Sequence, residues 1–370
     1  MEQILITGGA GFIGSHLADE LLEKGYKVRV LDNLSSQVHG PDRKFPSYLN
    51  ADVEVIVEDI RDSNAVRRAL KGVDAVVHFV ACVGVGQSMY DIARYTSVNN
   101  YGTAVLLEAL IERPVERLLV ASSMSIYGEG LYKGPDGTVY SNVERTLEQL
   151  KGSEWELRAP NGDILEPVPT PEWKTPSLES VYALSKYDQE RMCLMIGRAY
   201  SIPTVAMRFF NAFGPNQALS NPYTGVLAIF ASRLLNNKPP LIFEDGRQRR
   251  DFVSVYDVAR ACRLALESAK AAGKVFNIGS GTQYTVSEVA RKMAGVLGKN
   301  IEPEIAGKYR VGDIRHCFPD ISQAREALGY QPSWDLEDGL IDLAAWLEGQ
   351  IAHDRFSEMK EELASRGLVV

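Results

Sequence analysis

The chain has 370 residues, of which 45 % are hydrophobic and 24 % charged, and its formal net charge is −8. This is ordinary globular composition with enough apolar residues for a sizeable core. The acidic balance excludes a global basic field for nucleic acid or an acidic membrane surface, so any bound anion must be held by local cations. Cys82, Cys193, Cys262 and Cys317 are scattered without a CxxC pair, and there are only five histidines. A metal site is therefore not expected, whereas buried thiols in a reducing cytoplasmic compartment are. No apolar run reaches the roughly 18 residues of a membrane span, and the first strand starts too early to leave room for a signal peptide.

Residues 4–7 (ILIT) read as a buried strand, Gly8-Gly9-Ala10-Gly11-Phe12-Ile13-Gly14 as a tight turn, and 15–24 as a helix stopped by Gly25. Strand, glycine turn and helix form the context of a dinucleotide pyrophosphate site. Gly8 allows the sharp turn, Gly11 lets phosphate approach the backbone, and Gly14 lets the helix press on the strand; the helix N-terminus then faces the phosphates. A second apolar strand, 28–31, closes on Asp32. An acid about 20 residues past the glycines suits an adenosine ribose and repels a 2′-phosphate, which favours NAD over NADP.

Strands are expected at 53–57, 75–80 and 118–121, alternating with helices at 63–71 and 92–112. That alternation predicts an α/β fold, a Rossmann-type doubly wound parallel sheet. Residues 129–176 interrupt the rhythm with Gly, Pro, Glu and Thr and read as a partly ordered cover over the site or as a surface excursion. A helix over 177–200 and a strand at 204–209 follow. Beyond 211, helices at 225–236, 255–272, 286–297 and 336–351 and short strands at 241–243 and 275–278 predict a smaller mixed α/β C-terminal substrate lobe. The expected organisation is 1–210 for the dinucleotide domain, 211–352 mainly for the lobe, and a charged helical tail over 353–370.

Tyr182 and Lys186 are four residues apart near a helix start and share one face. A phenol, with an ordinary pKa near ~10, becomes a usable base only when positive charge lies close, as the lysine ammonium would supply. Ser122-Ser123-Met124-Ser125 follows the strand 118–121 directly, so its hydroxyls face the ligand crevice.

Taken together, GGAGFIG, Asp32, Asn99-Asn100-Tyr101-Gly102-Thr103, SSMSIYG, YALSK, the run 208–215 (RFFNAFGP), Arg250-Asp251-Phe252-Val253 and Arg310-Val311-Gly312-Asp313 resemble the extended short-chain dehydrogenase/reductases. Within them the chain is similar to the NAD-dependent nucleotide-sugar epimerases and dehydratases. The resemblance covers nearly the whole chain except 129–176 and the tail. It implies Ser123, Tyr182 and Lys186 as the catalytic set. It implies cofactor contacts from Gly8, Gly11, Phe12, Ile13, Gly14, Asp32, Asn33, Asp59, Ile60, Phe79, Val80, Ala81 and Asn99, besides Tyr182 and Lys186. It implies substrate contacts from Val83, Ser123, Asn211, Arg250 and Arg310, the arginines holding a dTDP- or UDP-linked diphosphate by bidentate hydrogen bonds. Arg247 and Arg249 are expected to be solvated.

Dehydratases of this family carry Asp and Glu directly after the Ser/Thr; here Met124 and Ser125 stand there. Relatives that invert C3 or C5 carry a cysteine in this stretch, and none occurs between Cys82 and Cys193. The resemblance thus implies a 4-epimerase: Tyr182 removes the C4 hydroxyl proton as hydride passes to NAD, the 4-keto sugar turns about its diphosphate link, and hydride returns to the opposite face. The loop residues Val83, Val85, Met89 and Tyr90 are mostly apolar, which suits a 6-deoxy sugar. Other readings are UDP-glucose or UDP-glucuronate epimerisation, 4-keto-sugar reduction, dehydration and NAD binding without turnover. Helices 92–112 and 178–200 resemble a dimer-forming pair, with Met192, Met195, Ile196 and Tyr200 as the outer face of a homodimer.

Overall fold

The structure is a computed structural model that describes residues 1–370 apart from 220, 222, 224, 311, 351–355 and 370, and describes only the backbone of 356 and 357. Seven parallel strands form the central sheet: β1 (Gln3–Thr7), β2 (Lys27–Asp32), β3 (Glu54–Val57), β4 (Ala75–His78), β5 (Arg117–Ser123), β6 (Thr204–Phe209) and β7 (Val275–Ile278). Their order is β7-β6-β5-β4-β1-β2-β3, so the chain reverses direction across the sheet between β1 and β4, where doubly wound folds open their ligand crevice. The inner strands are continuous apolar runs because helices cover both faces; every residue of β4 and β6 is buried.

One face is covered by α1 (Phe12–Glu23) and α5 (Val255–Glu267), whose apolar sides meet Ile4, Ile6, Val30 and Val77 in one core. The other carries α2 (Ser63–Ala69), α3 (Gly102–Glu112) and α4 (Val181–Ala199), packed on Leu5, Val76, Leu118 and Ala206. The helix expected over 92–112 is present as a run in which Thr96–Tyr101 widens into π geometry, a turn that carries Asn99.

Residue 210 does not bound the sheet. β7, read from the sequence as part of the substrate lobe, pairs with β6 from Ala206↔Val275 to Phe209↔Ile278. A core of its own, with Phe213, Leu227, Phe252, Met293 and Leu340, marks the lobe, which alternates with the returning segments instead of following them. The helix expected over 336–351 spans Leu336–Leu347, and its expected end and the start of the tail at 353 lie outside the described residues.

Residues 129–176, expected as a partly ordered cover or a surface excursion, form a folded unit. Leu131–Lys133 pairs antiparallel with Val139–Tyr140 and Glu166–Val168, over a small core of Tyr132, Leu157 and Leu165. A buried ionic network fastens this unit to the lobe. Arg315, fully buried, donates to Glu244 (2.9 Å), Asp245 (2.6 Å) and Glu156 (2.5 Å), and Arg145 donates to Glu244 at 2.6 Å. Charge pairing over such distances is invisible in a periodicity reading, which is why the segment only interrupts the predicted rhythm.

The tail ends in α6 (Phe356–Ser365). It folds back on the molecule: Met359 and Leu363 are buried against Leu241 and Phe243, and Arg310 forms an antiparallel bridge with Val369. Among the described residues no helix is long and apolar enough to cross a membrane, and the four cysteines are free thiols.

Candidate active site

The glycine turn leaves β1 at the crevice. Gly8 has φ +73°, and a Cβ there would stand 2.9 Å from Val80 N, so both its conformation and its closeness to β4 demand glycine. A Cβ on Gly14 would meet Gly9 Cα at 2.5 Å and Gly8 O at 2.6 Å. Gly14 thus presses on the turn, not on the strand as the sequence reading had it. Gly11, the N-cap of α1, makes no side-chain cap, so the first-turn N–H groups lack a protein side-chain acceptor. Phe12 and Ile13 open that turn half-buried.

At the end of β2, Asp32 is buried, and its carboxylate accepts from Ala10 N (3.1 Å) and Leu34 N (2.9 Å), bracing the turn. Tyr48 donates to Ala10 O at 3.0 Å; burial, with the Asp32 charge, pushes its phenol up to about 12. Asn33 donates to Asp59 at 3.0 Å, and the Arg61 guanidinium holds the Asp59 carboxyl well below its usual range. Ile60 is buried under Gly102. Phe79, edge-on to Phe209 at 5.9 Å, leads with Val80 and Ala81 from β4 into the crevice. Asn99 accepts from Cys82 N at 2.7 Å and donates to Cys82 O and to Ser185 Oγ. The ungapped turn, the uncapped helix end and the strand-end acid fit the adenosine diphosphate half of NAD.

Ser123 ends β5. Its hydroxyl accepts from Ser125 N at 3.2 Å, lies 2.7 Å from Ser125 Oγ, and is near enough to the Tyr182 phenol to lower its pKa. Tyr182 sits in the first turn of α4, which Ser180 caps by accepting from Ala183 N at 3.1 Å. Burial raises the Tyr182 phenol and the Ser123 hydroxyl lowers it, with a net rise. Lys186 is buried one turn on, and burial lowers its ammonium to about 8. The sequence reading placed that ammonium beside the phenol. In the structure its Nζ donates to Gln189 Oε1 at 2.7 Å, and no charge offsets the burial of the phenol.

A buried pair fixes α4 on the sheet. Arg208 of β6 donates to both Glu190 oxygens (2.9 and 2.7 Å), and Ser122 donates to the same carboxylate at 2.7 Å. The loop holding Val83 is pinned to the start of α4: Tyr182 N donates to Ser88 Oγ at 3.0 Å, and Tyr95, its ring edge-on to Tyr182 at 6.5 Å, donates to Val83 O at 2.7 Å. Val83 itself is 42 % exposed.

The expected diphosphate residues are brought to the lobe side with differing freedom. Asn211 Oδ1 is buried without a donor among the described residues. Arg310 pairs with Asp313 at 2.9 Å and lies 4.7 Å over the Phe243 ring. Arg250 donates to the carbonyls of Arg249, Ile314 and Arg315, so its guanidinium is engaged with backbone. Arg247 is exposed, while Arg249 is half-buried and donates to Gln283. The sequence reading missed Ser88, Gln189 and His78, and it expected a helical tail without its packing against Leu241 and Phe243. Only Gln189 carried a local signal, standing three residues after Lys186 on the same helical face.

Residues 4–148 and 162–279 match the NAD dependent epimerase/dehydratase family. The chain is 35 % identical over 360 residues to the dTDP-L-rhamnose 4-epimerase of Burkholderia thailandensis, covering 95 % of this chain and 96 % of the relative. Among solved structures it is similar to the UDP-glucose 4-epimerase of Thermotoga maritima with UDP-glucose, at TM-score 0.77, 32 % identity, and 94 % and 99 % coverage. It is also similar to the UDP-glucuronic acid 4-epimerase of Bacillus cereus in complex with UDP-glucuronic acid and NAD, at TM-score 0.77, 27 % identity, and 94 % and 99 % coverage. With the glycine turn, the Ser123–Tyr182–Lys186 grouping and these likenesses in agreement, the chain belongs to the NAD-dependent epimerase/dehydratase family, as a nucleotide-sugar epimerase that uses NAD.

Proposed function

We propose that the protein inverts C4 of a dTDP-linked 6-deoxyhexose, acting as a dTDP-L-rhamnose 4-epimerase. The observation that carries the sugar assignment is the Ser88–Tyr182 bond, which holds the apolar loop with Val83 against the start of the catalytic helix. A C5 methyl group needs no hydrogen-bond partner, and Val83, Val85 and Met89 offer none. The similarity to the Burkholderia thailandensis enzyme supports the same sugar.

Bound NAD supplies the two-electron acceptor that C4 oxidation and its reversal require. Tyr182 takes the C4 hydroxyl proton and later returns it. Ser123 hydrogen-bonds the same oxygen and keeps it aligned with the phenol. Lys186 lends its charge to the phenolate and holds the nicotinamide ribose. Gly8, Gly11 and Gly14 with Phe12 and Ile13 bind the pyrophosphate; Asp32, Asn33, Asp59 and Ile60 line the adenosine side; Phe79, Val80, Ala81 and Asn99 line the nicotinamide side. Asn211 and Arg310 retain the sugar diphosphate while the keto sugar turns, and Arg250 keeps the Ile314–Arg315 backbone under it. Met124 and Ser125 offer no carboxylate for dehydration. The segments after 211 supply most of the nucleotide-sugar side.

Purified protein incubated with dTDP-L-rhamnose and no added cofactor is expected to yield, by NMR, a second dTDP-6-deoxyhexose inverted at C4. An unchanged spectrum together with exchange of UDP-glucose and UDP-galactose, or of UDP-hexuronates, would replace this sugar while keeping the 4-epimerase. Exposed apolar side chains on neighbouring helices, Ile92, Tyr101, Leu184, Met195 and Tyr200, support a homodimer through this face; Met192 and Ile196 instead turn half-buried toward the core. Light scattering at twice the monomer mass is the expected result.

A further inference from the structure

Lys186 is a cation with little water around it. It is 3 % exposed, and among the described residues its ammonium donates to a single acceptor, Gln189 Oε1, at 2.7 Å. Burial alone disfavours such a charge strongly. Burial of this kind is normally relieved by a carboxylate, and one is near: Glu190 is the next residue after Gln189. Glu190, however, is committed to Arg208 and Ser122 through both oxygens.

Gln189 cannot rotate to offer its amide nitrogen instead. Nε2 faces two acceptors, Val80 O at 3.2 Å and Thr103 Oγ1 at 2.9 Å, and lies 3.2 Å from His78 Nε2. The Thr103 proton is used on Asn99 O at 2.5 Å, so Thr103 Oγ1 can only accept from Gln189. His78 is fully buried and stays neutral, its pKa lowered to about 3 by burial and by the Lys186 charge. An oxygen at Nε2 would repel Val80 O. The amide is thereby locked with Oε1 toward the lysine.

We propose that Gln189 is a positioning residue that keeps Lys186 an ammonium while leaving its charge unneutralised. A neutral acceptor does what a carboxylate there could not. It satisfies one of the three N–H donors, so the cation survives in a dry site. It adds no negative charge, so the ammonium keeps its full charge on the helix that carries Tyr182 one turn earlier. The inference rests on Tyr182 acting as base, the reading given under Proposed function. The titratable groups facing Lys186 are Glu190 and Cys193 on its own helix and His78 on β4.

Two substitutions separate this role from simple packing, because they move opposite limbs of the pH profile. Gln189→Met keeps the volume and removes the acceptor. Lys186 then loses its proton more easily, and the alkaline limb of kcat moves to lower pH, with the lysine proton affinity falling on the order of tenfold. Gln189→Glu keeps an acceptor but cancels the charge, so the acid limb, set by the Tyr182 phenol, moves to higher pH. KM for the nucleotide sugar changes little in either.

The decisive measurement needs no turnover. In NAD-loaded protein, Lys186 is titrated by 13C NMR of labelled lysines, assigned by the resonance lost in Lys186→Met. Tyr182 is titrated by ultraviolet difference spectra against Tyr182→Phe. A lower Lys186 pKa in Gln189→Met and a higher Tyr182 pKa in Gln189→Glu are expected. Unchanged Lys186 titration in folded Gln189→Met, or both variants shifting the same group the same way, overturns the assignment. If Gln189→Met does not fold, Gln189→Asn, which withdraws the acceptor by one methylene, must lower the Lys186 pKa or the proposal falls. Failure of the epimerase reading would appear separately, as wild-type protein that titrates as described but inverts no nucleotide sugar.

Discussion

The hydroxyl of Ser88 accepts a hydrogen bond from the backbone N–H of Tyr182 at 3.0 Å and donates its own proton to Val85 O at 2.7 Å. One side chain thereby joins the loop that carries Val83 to the first turn of α4. It also satisfies an N–H that has no partner within that helix. Removing it as Ser88→Ala leaves that N–H and the Val85 carbonyl without their partner, at a cost of about 1–3 kcal/mol. The expected outcome is a fall of roughly tenfold in kcat/KM, carried largely by KM, with bound NAD retained; steady-state kinetics and the absorbance of released cofactor check both.

Gly14→Ala tests the turn itself. A methyl group there meets backbone at 2.5 Å and 2.6 Å, atoms that cannot swing aside as a side-chain tip can. The turn must open, and the alignment of first-turn N–H groups with it. The expected result is protein that purifies without NAD and without activity, its far-ultraviolet circular dichroism near that of the wild type.

The unit over 129–176 carries a pH signature. Hydrogen bonds from His316 and Arg315 lower Glu156 to about 2 from an ordinary 4.5. A carboxyl held low contributes stability that is complete above the ordinary value and is lost as pH falls toward the folded one. The ties between the unit and the lobe therefore loosen between about pH 4.5 and 2. Emission from Trp155, adjacent to Glu156, is expected to shift in that window, and Glu156→Gln is expected to flatten the shift while lowering stability at neutral pH.

The tail packs on the loop that carries Gly86 and Tyr90. Leu363 methyl groups lie 3.2 and 3.4 Å from where a Gly86 Cβ would stand, and the Arg366 guanidinium lies 4.2 Å over the Tyr90 ring. Leu363→Asp buries an unpaired carboxylate beneath that contact, costing about 3 kcal/mol locally. The expected effect is a nucleotide-sugar KM raised about tenfold with NAD content unchanged, measured against isothermal binding of dTDP.

Elements with strong local patterning were legible without coordinates. β6 and β7 match the expected strands at both ends, because short, mostly apolar runs between turns leave little choice. Ser123, Tyr182 and Lys186 were expected together from motif order; Ser123 ends β5, and Tyr182 opens α4 one turn before Lys186. Lys186 was assigned the right face but not the right partner, since its hydrogen bond depends on how Val80, Thr103 and His78 orient Gln189 from three separate segments. Arg250 was matched to phosphate by motif, and its bonds to the 314 and 315 carbonyls arise from a strand pairing between Arg249–Arg250 and His316–Cys317 that no spacing reveals. The unit over 129–176 eluded periodicity because its strands are two or three residues long and its strongest ties are charges far apart in sequence.

The late return of β7 to the sheet has a consequence for biosynthesis. Until residues 275–278 leave the ribosome, β6 presents a row of unpaired backbone donors and acceptors on a strand whose every residue is buried in the finished protein. Such an edge invites pairing with another nascent chain. A fragment ending at 210 would carry that edge permanently, so the dinucleotide half is expected to aggregate when expressed alone, and translation pauses ahead of 275 would lengthen the exposure.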